Sequence, residues 1–238
     1  MPGDEQITAV SDSTETMAKE STIQSRKTSV VPEALHKSSG SAVPGTHLCS
    51  TPLDPEGTGE WYVAILDHQK YTDTCCEYIT KRFQEQHCTC YVPCKQEMHV
   101  YANRTKRMVT KYVIPRFIFV TGISENQAYT VVPEWPHVSM FLPDRACARV
   151  YGRLALAKVM HRDLLKLQHV IDNIPSADDV TFSPDQLQFD EQIKVVRGDL
   201  KGLEGGYYKS DDNDYLVFML GKLGNIKVRV SIRDCALK

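Results

Sequence analysis

The residues best equipped for chemistry in this 238-residue chain lie between His87 and His99, where His87, Cys88, Cys90, Cys94 and His99 follow one another at short spacing. Thiolates and imidazoles grouped this closely can bind zinc, so a zinc- or thiol-dependent enzyme at His87–His99 is one reading. The spacing is not a paired C-x-x-C, however, and no second half-site follows it. Cys88 and Cys90 stand two apart in an alternating run, so both point to one face, most simply the core. Cys75 and Cys76 share one turn of a helical pattern, which keeps them from both facing the core directly, and neighbouring cysteines make a poor disulfide. His161 and Asp163 form a second possible acid–base pair, but an i, i+2 pair does not share a helix face. They read as solvated or half-buried side chains. Nucleophile-elbow, phosphate-loop, dinucleotide-loop and H-E-x-x-H patterns are absent. The chain therefore reads as a non-enzyme without a metal or cofactor.

A second cluster is cationic. Lys95 to Arg116 carries Lys95, Arg104, Lys106, Arg107, Lys111 and Arg116 against a lone Glu97, a charge of +5 over 22 residues, with Tyr101 and Tyr112 interleaved. Such a segment can contact phosphates and stack on unpaired bases. Equally, its charges can simply blunt an exposed sheet edge. The third motif is Val195-Val-Arg-Gly198-Asp-Leu-Lys-Gly202-Leu-Glu-Gly205. Its glycines allow tight left-handed turns or close backbone approach, and the spacing alone does not choose between them.

These groups need elements to hold them. Trp61 to Leu66 is an apolar, β-branched run typical of a buried strand. A helix is expected over about 72–86, with Thr74-Cys-Cys-Glu77 as a capping box and Cys76, Ile79 and Phe83 on one face. Strands are expected at Cys88 to Val92, Arg116 to Val120 and Val138 to Leu142, and a polar hairpin around Arg104-Thr-Lys-Arg107. Ser124 to Val132 reads as a short helix stopped by Pro133. A longer helix, placing Leu156, Val159, Met160, Leu164, Leu167, Val170 and Ile171 on one face, ends near Asn173. The fold class is α+β, an antiparallel sheet with flanking helices. Ile174 to Phe189, with two prolines and three aspartates, reads as a linker. Beyond it, short strands between Gly and Asp/Asn turns predict a small all-β barrel. The expected domains are a tail (1–59), an α+β domain (60–173), the linker (174–189) and the barrel (190–238).

Charge supports this division. The whole chain has 28 basic and 30 acidic side chains, a net of −2. Residues 1–59 contribute four basic and eight acidic groups, contain no Phe, Tyr or Trp, and include 27 Ser, Thr, Pro or Gly. Such a segment buries too little apolar surface to offset its ordering entropy and is expected to be disordered. Near-neutrality excludes a general nucleic-acid coat but leaves room for a local basic contact. No secretory signal or membrane span is visible, so the eight cysteines are expected as free thiols in a reducing cytoplasm.

Gln192-Ile-Lys-Val-Val-Arg-Gly198-Asp-Leu-Lys-Gly202-Leu-Glu-Gly205 resembles the KOW motif, and Gly221-Lys-Leu-Gly224 followed by Ile226 to Ile232 is similar to the closing strands of KOW barrels. Glu60-Trp-Tyr-Val63, Val113-Ile-Pro115-Arg-Phe-Ile-Phe-Val120 and Val138-Ser-Met-Phe-Leu142 resemble, in the same order, strands of the NusG amino-terminal domain. Within that family, Asn103 to Pro115 is most similar to the UpxY-type paralogues, specialised antiterminators of polysaccharide operons. The resemblance implies a non-enzymatic, monomeric elongation factor that acts with transcription complexes and suppresses pausing or termination. It implies that Ile114, Phe117, Phe119 and Phe141 receive the β′ clamp helices of RNA polymerase. Arg104, Lys106, Arg107, Lys111 and Arg116 then face upstream or non-template DNA. Gly198, Gly202 and Gly205 form the KOW turn, and the barrel is left for a ribosomal protein or Rho. An alternative is a KOW-type RNA-binding or ribosome-associated protein. The sequence departs from the family where Pro-Gly-Tyr is replaced by Pro115-Arg116-Phe117, and the acidic tail has no counterpart in the family pattern.

Overall fold

The computed structural model describes residues 52–68, 72–144, 149–150, 153–185, 187–189, 191–210 and 213–238. Strand β1 (Glu60–Leu66) is the centre of the first sheet. Trp61 and Val63 bury on one of its faces, Ala64 and Leu66 on the other, so the apolar run is continuous because both faces are covered. Helix α1 (Asp73–Glu85) covers the Ala64 face with Cys76, Ile79 and Phe83. Its cap is Thr72, whose hydroxyl accepts the Cys75 N–H at 3.1 Å, rather than the expected Thr74 box. Cys75 and Cys76 are both buried, against expectation. Adjacent helical positions differ by about 100°, and an apolar stripe that wide takes in both small side chains.

The chain continues through β2 (Thr89–Tyr91), the hairpin strands β3 (Cys94–Val100) and β4 (Lys106–Tyr112), and β5 (Phe117–Thr121). Helix α2 (Glu125–Glu134) starts at a capping box between Ser124 and Gln127 and carries Pro133 in its last turn. Strand β6 (Val138–Phe141) and the short strands β7 (Arg149–Val150), β8 (Arg153–Leu154) and β9 (Lys158–Met160) follow, then α3 (His161–Asn173). The first sheet runs β2-β5-β1-β6, and β9 pairs with the start of β1. Leu156 and Val159 therefore precede the helix on which they were expected. Their spacing mimics a helical period, but pairing of Val159 with Trp61 makes it a strand residue.

The second sheet is antiparallel and contains β10 (Val180–Ser183), β11 (Glu191–Val195), β12 (Glu204–Ser210), β13 (Asn213–Met219), β14 (Asn225–Arg229) and β15 (Cys235–Leu237), in the order β10-β14-β13-β12-β11-β15. The pairing path ends at β10 and β15 and does not close into a barrel among the described residues. The expected linker is largely structured. Ala177–Asp179 forms a 3-10 turn, and Val180 and Phe182 of β10 pair with Val228 and Ile226. Four alternating residues between prolines are too few to announce a strand, but a ready-made partner edge recruits them.

Part of the expected tail is also ordered. Leu53 is buried and donates its N–H to Gln168 Oε1 at 2.8 Å, while the Asp54 and Gly59 carbonyls accept from His161 Nε2 and N at 2.7 and 3.0 Å. His161 Nδ1 in turn accepts the indole N–H of Trp61 at 3.1 Å. The imidazole is thus buried with both nitrogens satisfied, not solvated. Residues 1–51 lie outside the described residues.

Two apolar clusters hold this arrangement. One lies between the Ala64 face of the first sheet and α1 and α2. The other joins the Trp61 face, Leu164, Leu167, Val170 and Ile171 of α3, and Ile193, Leu216, Phe218 and Ile226 of the second sheet. Leu167 is fully buried in this shared core. Leu167→Ala should cost about 2–5 kcal/mol, read as a lower urea midpoint. Because the cluster spans both sheets, unfolding should remain one transition by far-ultraviolet circular dichroism and by tryptophan fluorescence.

Candidate functional site

The basic segment folds as the hairpin β3–β4, in register from Cys94 opposite Tyr112 to Val100 opposite Lys106. Its tip is closed by Arg104, at φ 63°, whose N–H donates to the Tyr101 carbonyl at 2.8 Å. Asn103 Oδ1 accepts from the Thr105 N–H at 3.1 Å. Strand alternation then gives the hairpin two unlike faces. Met98 and Met108 sit opposite each other on one face, both more than half exposed, with Val100 and Lys106 beyond them. The other face carries His99 and Arg107. The His99 ring lies 4.6 Å from that of Tyr101, and the Arg107 guanidinium 6.0 Å from the same ring.

The cations of this segment are in two states. At the hairpin base, Lys111 bridges Glu97 at 3.0 Å and Asp178 at 2.6 Å, and Lys95 donates to the Ile171 carbonyl at 2.8 Å. Glu97 also accepts the Ala177 N–H at 2.5 Å. These bonds latch the hairpin to the end of α3 and to the 3-10 turn. Partial burial alone would raise the Glu97 pKa, but the Ala177 N–H and the Lys111 ammonium together hold it below its ordinary value. The same lysine lowers Asp178, and both carboxylates raise Lys111. At the tip, Arg104, Lys106 and Arg107 make no ion pair among the described residues.

Arg116 is turned inward in the bend before β5. It adopts φ 71°, donates Nε–H to the Leu66 carbonyl at 2.8 Å, and accepts the Leu66 N–H at its own carbonyl. Side chains with a Cβ rarely adopt that backbone conformation, and glycine adopts it freely.

Of the four apolar residues expected at the surface, Ile114, Phe119 and Phe141 are buried, at 1%, 0% and 5% exposure. Phe117 is half-buried at the rim of the first sheet, its ring 5.6 Å from that of Phe182 of β10. It does not stand alone. Phe117 pairs in register with Ile65, and Ile65 with Met140, forming an apolar row across β5, β1 and β6. Ile65 is partly exposed and Met140 is 46% exposed. Ile65 and Met140 escape a sequence reading because the row runs across three strands distant in the chain. Their only sequence signal is membership of an apolar run.

In the KOW-like turn, Gly202 takes φ 95° and donates its N–H to the Val195 carbonyl at 2.8 Å, closing the bend from β11 to β12. Gly198 is also left-handed. Gly205 serves the other purpose: a Cβ there would collide with the Val217 carbonyl and the Leu216 side chain on β13.

Among the described residues no group of three or more His, Cys, Asp or Glu side chains is placed to hold a metal ion. Cys88 and Cys90 point into the core beneath α1, as alternation predicts, whereas His99 stands on the hairpin. Burial raises the thiol pKa of Cys88 and Cys90, which keeps them protonated and inert. Cys75, Cys76, Cys88, Cys90 and Cys235 are free thiols. Cys94 is disulfide-bonded, which corrects the expectation of free thiols throughout.

Residues 59–155 match the family model described as "Transcription termination factor nusG". The matched span runs from β1 through β8 and so contains both the hairpin and the Phe117 row. No curated protein matches. Among solved structures, the chain is similar to "Domain interaction in Thermotoga maritima NusG", at 16% identity over 74% of this chain and 96% of that one, with a TM-score of 0.40. It is also similar to "Crystal Structure of MjSpt4:Spt5 complex conformation A", at 9% identity over 76% of this chain and 98% of that one, with a TM-score of 0.22. No helix among the described residues is long and apolar enough to cross a membrane.

The latch at Glu97 makes stability depend on pH. Carboxylates lowered by folding contribute stability that is full above their ordinary values, 4.5 for Glu97 and 3.8 for Asp178, and is lost as the pH falls through the lowered ones. Lys111, raised by the same contacts, contributes below its ordinary 10.5 and loses that contribution in strong base. Glu97→Gln should therefore lower the urea midpoint at neutral pH. The difference from the unmodified protein should shrink steadily on acidification below 4.5.

Proposed function

We propose that this chain is a NusG-like transcription elongation factor that binds RNA polymerase through the apolar row of Phe117, Ile65 and Met140. The family match over residues 59–155 carries this reading, because the matched segment supplies every residue of that row. An apolar row at a sheet rim suits a helical partner, whose side chains can pack between the rings and thioether. The partner assigned here is the β′ clamp-helix pair, and the expected effect is reduced pausing or termination. Ile114, Phe119 and Phe141 then support the surface from beneath, and Phe117 remains the contact residue of the four. Phe182 packs against the same ring, so the β10 segment and the polymerase compete for part of one surface.

The hairpin tip is the proposed contact to upstream or non-template DNA. Arg104, Lys106 and Arg107 make no ion pair among the described residues, and Arg107 lies beside Tyr101, the composition that phosphates and unstacked bases favour. Lys111 and Arg116 are committed to internal partners and are assigned structural roles. The acting locus, a polysaccharide operon in the UpxY-type reading, is proposed on the resemblance of Asn103 to Pro115. The second sheet is left for a further partner such as a ribosomal protein or Rho.

Both surfaces are testable in the intact protein. Phe117→Asp should weaken capture of RNA polymerase roughly tenfold or more, as expected when a central apolar anchor is lost. Met140→Asp, at an exposed position, should act in the same direction without disturbing the core. Polymerase capture unchanged in both variants would remove the clamp assignment. Replacing Arg104, Lys106 and Arg107 together with Ala should weaken DNA binding and flatten its log–log salt slope by about 2–3, three phosphate contacts each contributing about 0.7–0.9. An unchanged slope would leave those charges as a solvated tip.

A further inference from the structure

A cleft of about 490 Å³ lies between α3 and the turn joining β11 to β12. Arg162, Leu165, Lys166 and His169 line one wall, and Lys201, Gly202, Leu203 and Glu204 the other. On α3 the polar residues follow i, i+4 and i+7 spacing, so they form one stripe about 10 Å long facing the turn. Leu165 and Leu203 form an apolar floor beneath them. None of these residues belongs to the hairpin or to the Phe117 row.

Among the described residues most of the positive charge on these walls has no close carboxylate partner. Lys166 and Lys201 make no ion pair among the described residues, and Arg162 has only a loose 3.7 Å approach to Asp163 while its side chain stays 79% exposed. His169 Nδ1 lies 3.2 Å from the side-chain amide nitrogen of Asn173. The one carboxylate on the walls is already engaged. Lys238 and Lys194 bond Glu204 at 2.6 and 3.0 Å and draw its pKa down to about 2, so it stays anionic without neutralising the cleft cations.

From this we propose that the cleft is a binding site for a phosphate-bearing ligand. Donors stand on two opposed walls, and a group that meets both needs more than one negative charge and more than two acceptor oxygens. A phosphoryl group supplies about −1.5 to −2 charge and three acceptor oxygens, where a carboxylate supplies one charge and two. The leucine floor accommodates the sugar or other uncharged part of such a ligand, and the volume is that of a small-molecule site. The same chemistry is available from a free polyphosphate or from the backbone of single-stranded RNA. A ligand seated there bridges α3 to the second sheet.

The test is titration of the full chain with inorganic pyrophosphate, with a short mixed-sequence single-stranded RNA, and with polyglutamate, followed by calorimetry and by backbone amide shifts at 162–169 and 201–204. Amide shifts at both walls with pyrophosphate support the site and identify a free phosphate as sufficient. Shifts there with RNA but not pyrophosphate support it and identify the nucleic-acid backbone as the source. Lys166→Glu or Lys201→Glu should weaken that binding roughly ten- to hundredfold, the loss of one charge-assisted bond. The milder Lys166→Gln should weaken it less. Lys209→Glu, the same charge change at an exposed position on β12, should leave it unchanged. The proposal is overturned if neither phosphate ligand shifts these amides, if polyglutamate binds as well as both, or if the cleft variants bind like Lys209→Glu.

Discussion

The packing of α3 is the constraint on which the rest of the molecule depends. Leu164, Leu167, Val170 and Ile171 enter one apolar cluster together with Trp61, Val63 and Phe119 of the first sheet and Ile193, Leu216, Phe218 and Ile226 of the second. Burial of that size outweighs any of the ion pairs around it, since exposed pairs contribute at most about 1 kcal/mol each. The polar contacts instead set the fine placement. Lys222 meets Asp144 at 2.7 Å across the two sheets, and Lys111 and Glu97 tie the hairpin to the turn after α3. The phosphate cleft is a by-product of the same packing, because it exists only where the β11–β12 turn stands against the helix.

The hairpin shows how one run of charge is divided by its position along a protruding element. Near the sheet, lysines have carboxylates and carbonyls within reach, and the field of those partners fixes them. At the tip the cations make no ion pair among the described residues. Backbone geometry follows the same division. Arg104 and Arg116 both adopt left-handed conformations that cost free energy in a residue with a Cβ. Arg116 recovers part of that cost through its bonds to Leu66, whereas Arg104 accepts it to close a tight turn.

Much of this was legible in the sequence. The β1 run, the face of α1 at Cys76, Ile79 and Phe83, the hairpin around Arg104 and the turn glycines are local signals, each expressed within a few residues. The apolar row was half legible. Phe117 stands out from its motif, but Ile65 and Met140 join it only through strand register. Local signals also misled. The helical spacing of Leu156 and Val159 is accidental, the prolines flanking β10 hid a strand, and the Ser/Thr/Pro/Gly-rich composition around Leu53 hid an ordered segment. In each case a partner distant in sequence, whether the start of β1, the β14 edge or Gln168, supplied what local propensity lacked.

The sequence by itself determined the mixture of antiparallel strands with few helices, the position of the basic hairpin and the identity of its charged residues. These follow from periodicity, turn chemistry and side-chain type, which act over short stretches of chain. Only the tertiary structure decided which of those charges are spent internally, which apolar residues reach the surface, and that the second sheet shares a core with α3. Such outcomes depend on which distant groups come within a few ångströms of one another, and pairing and burial at that range are properties of the folded whole.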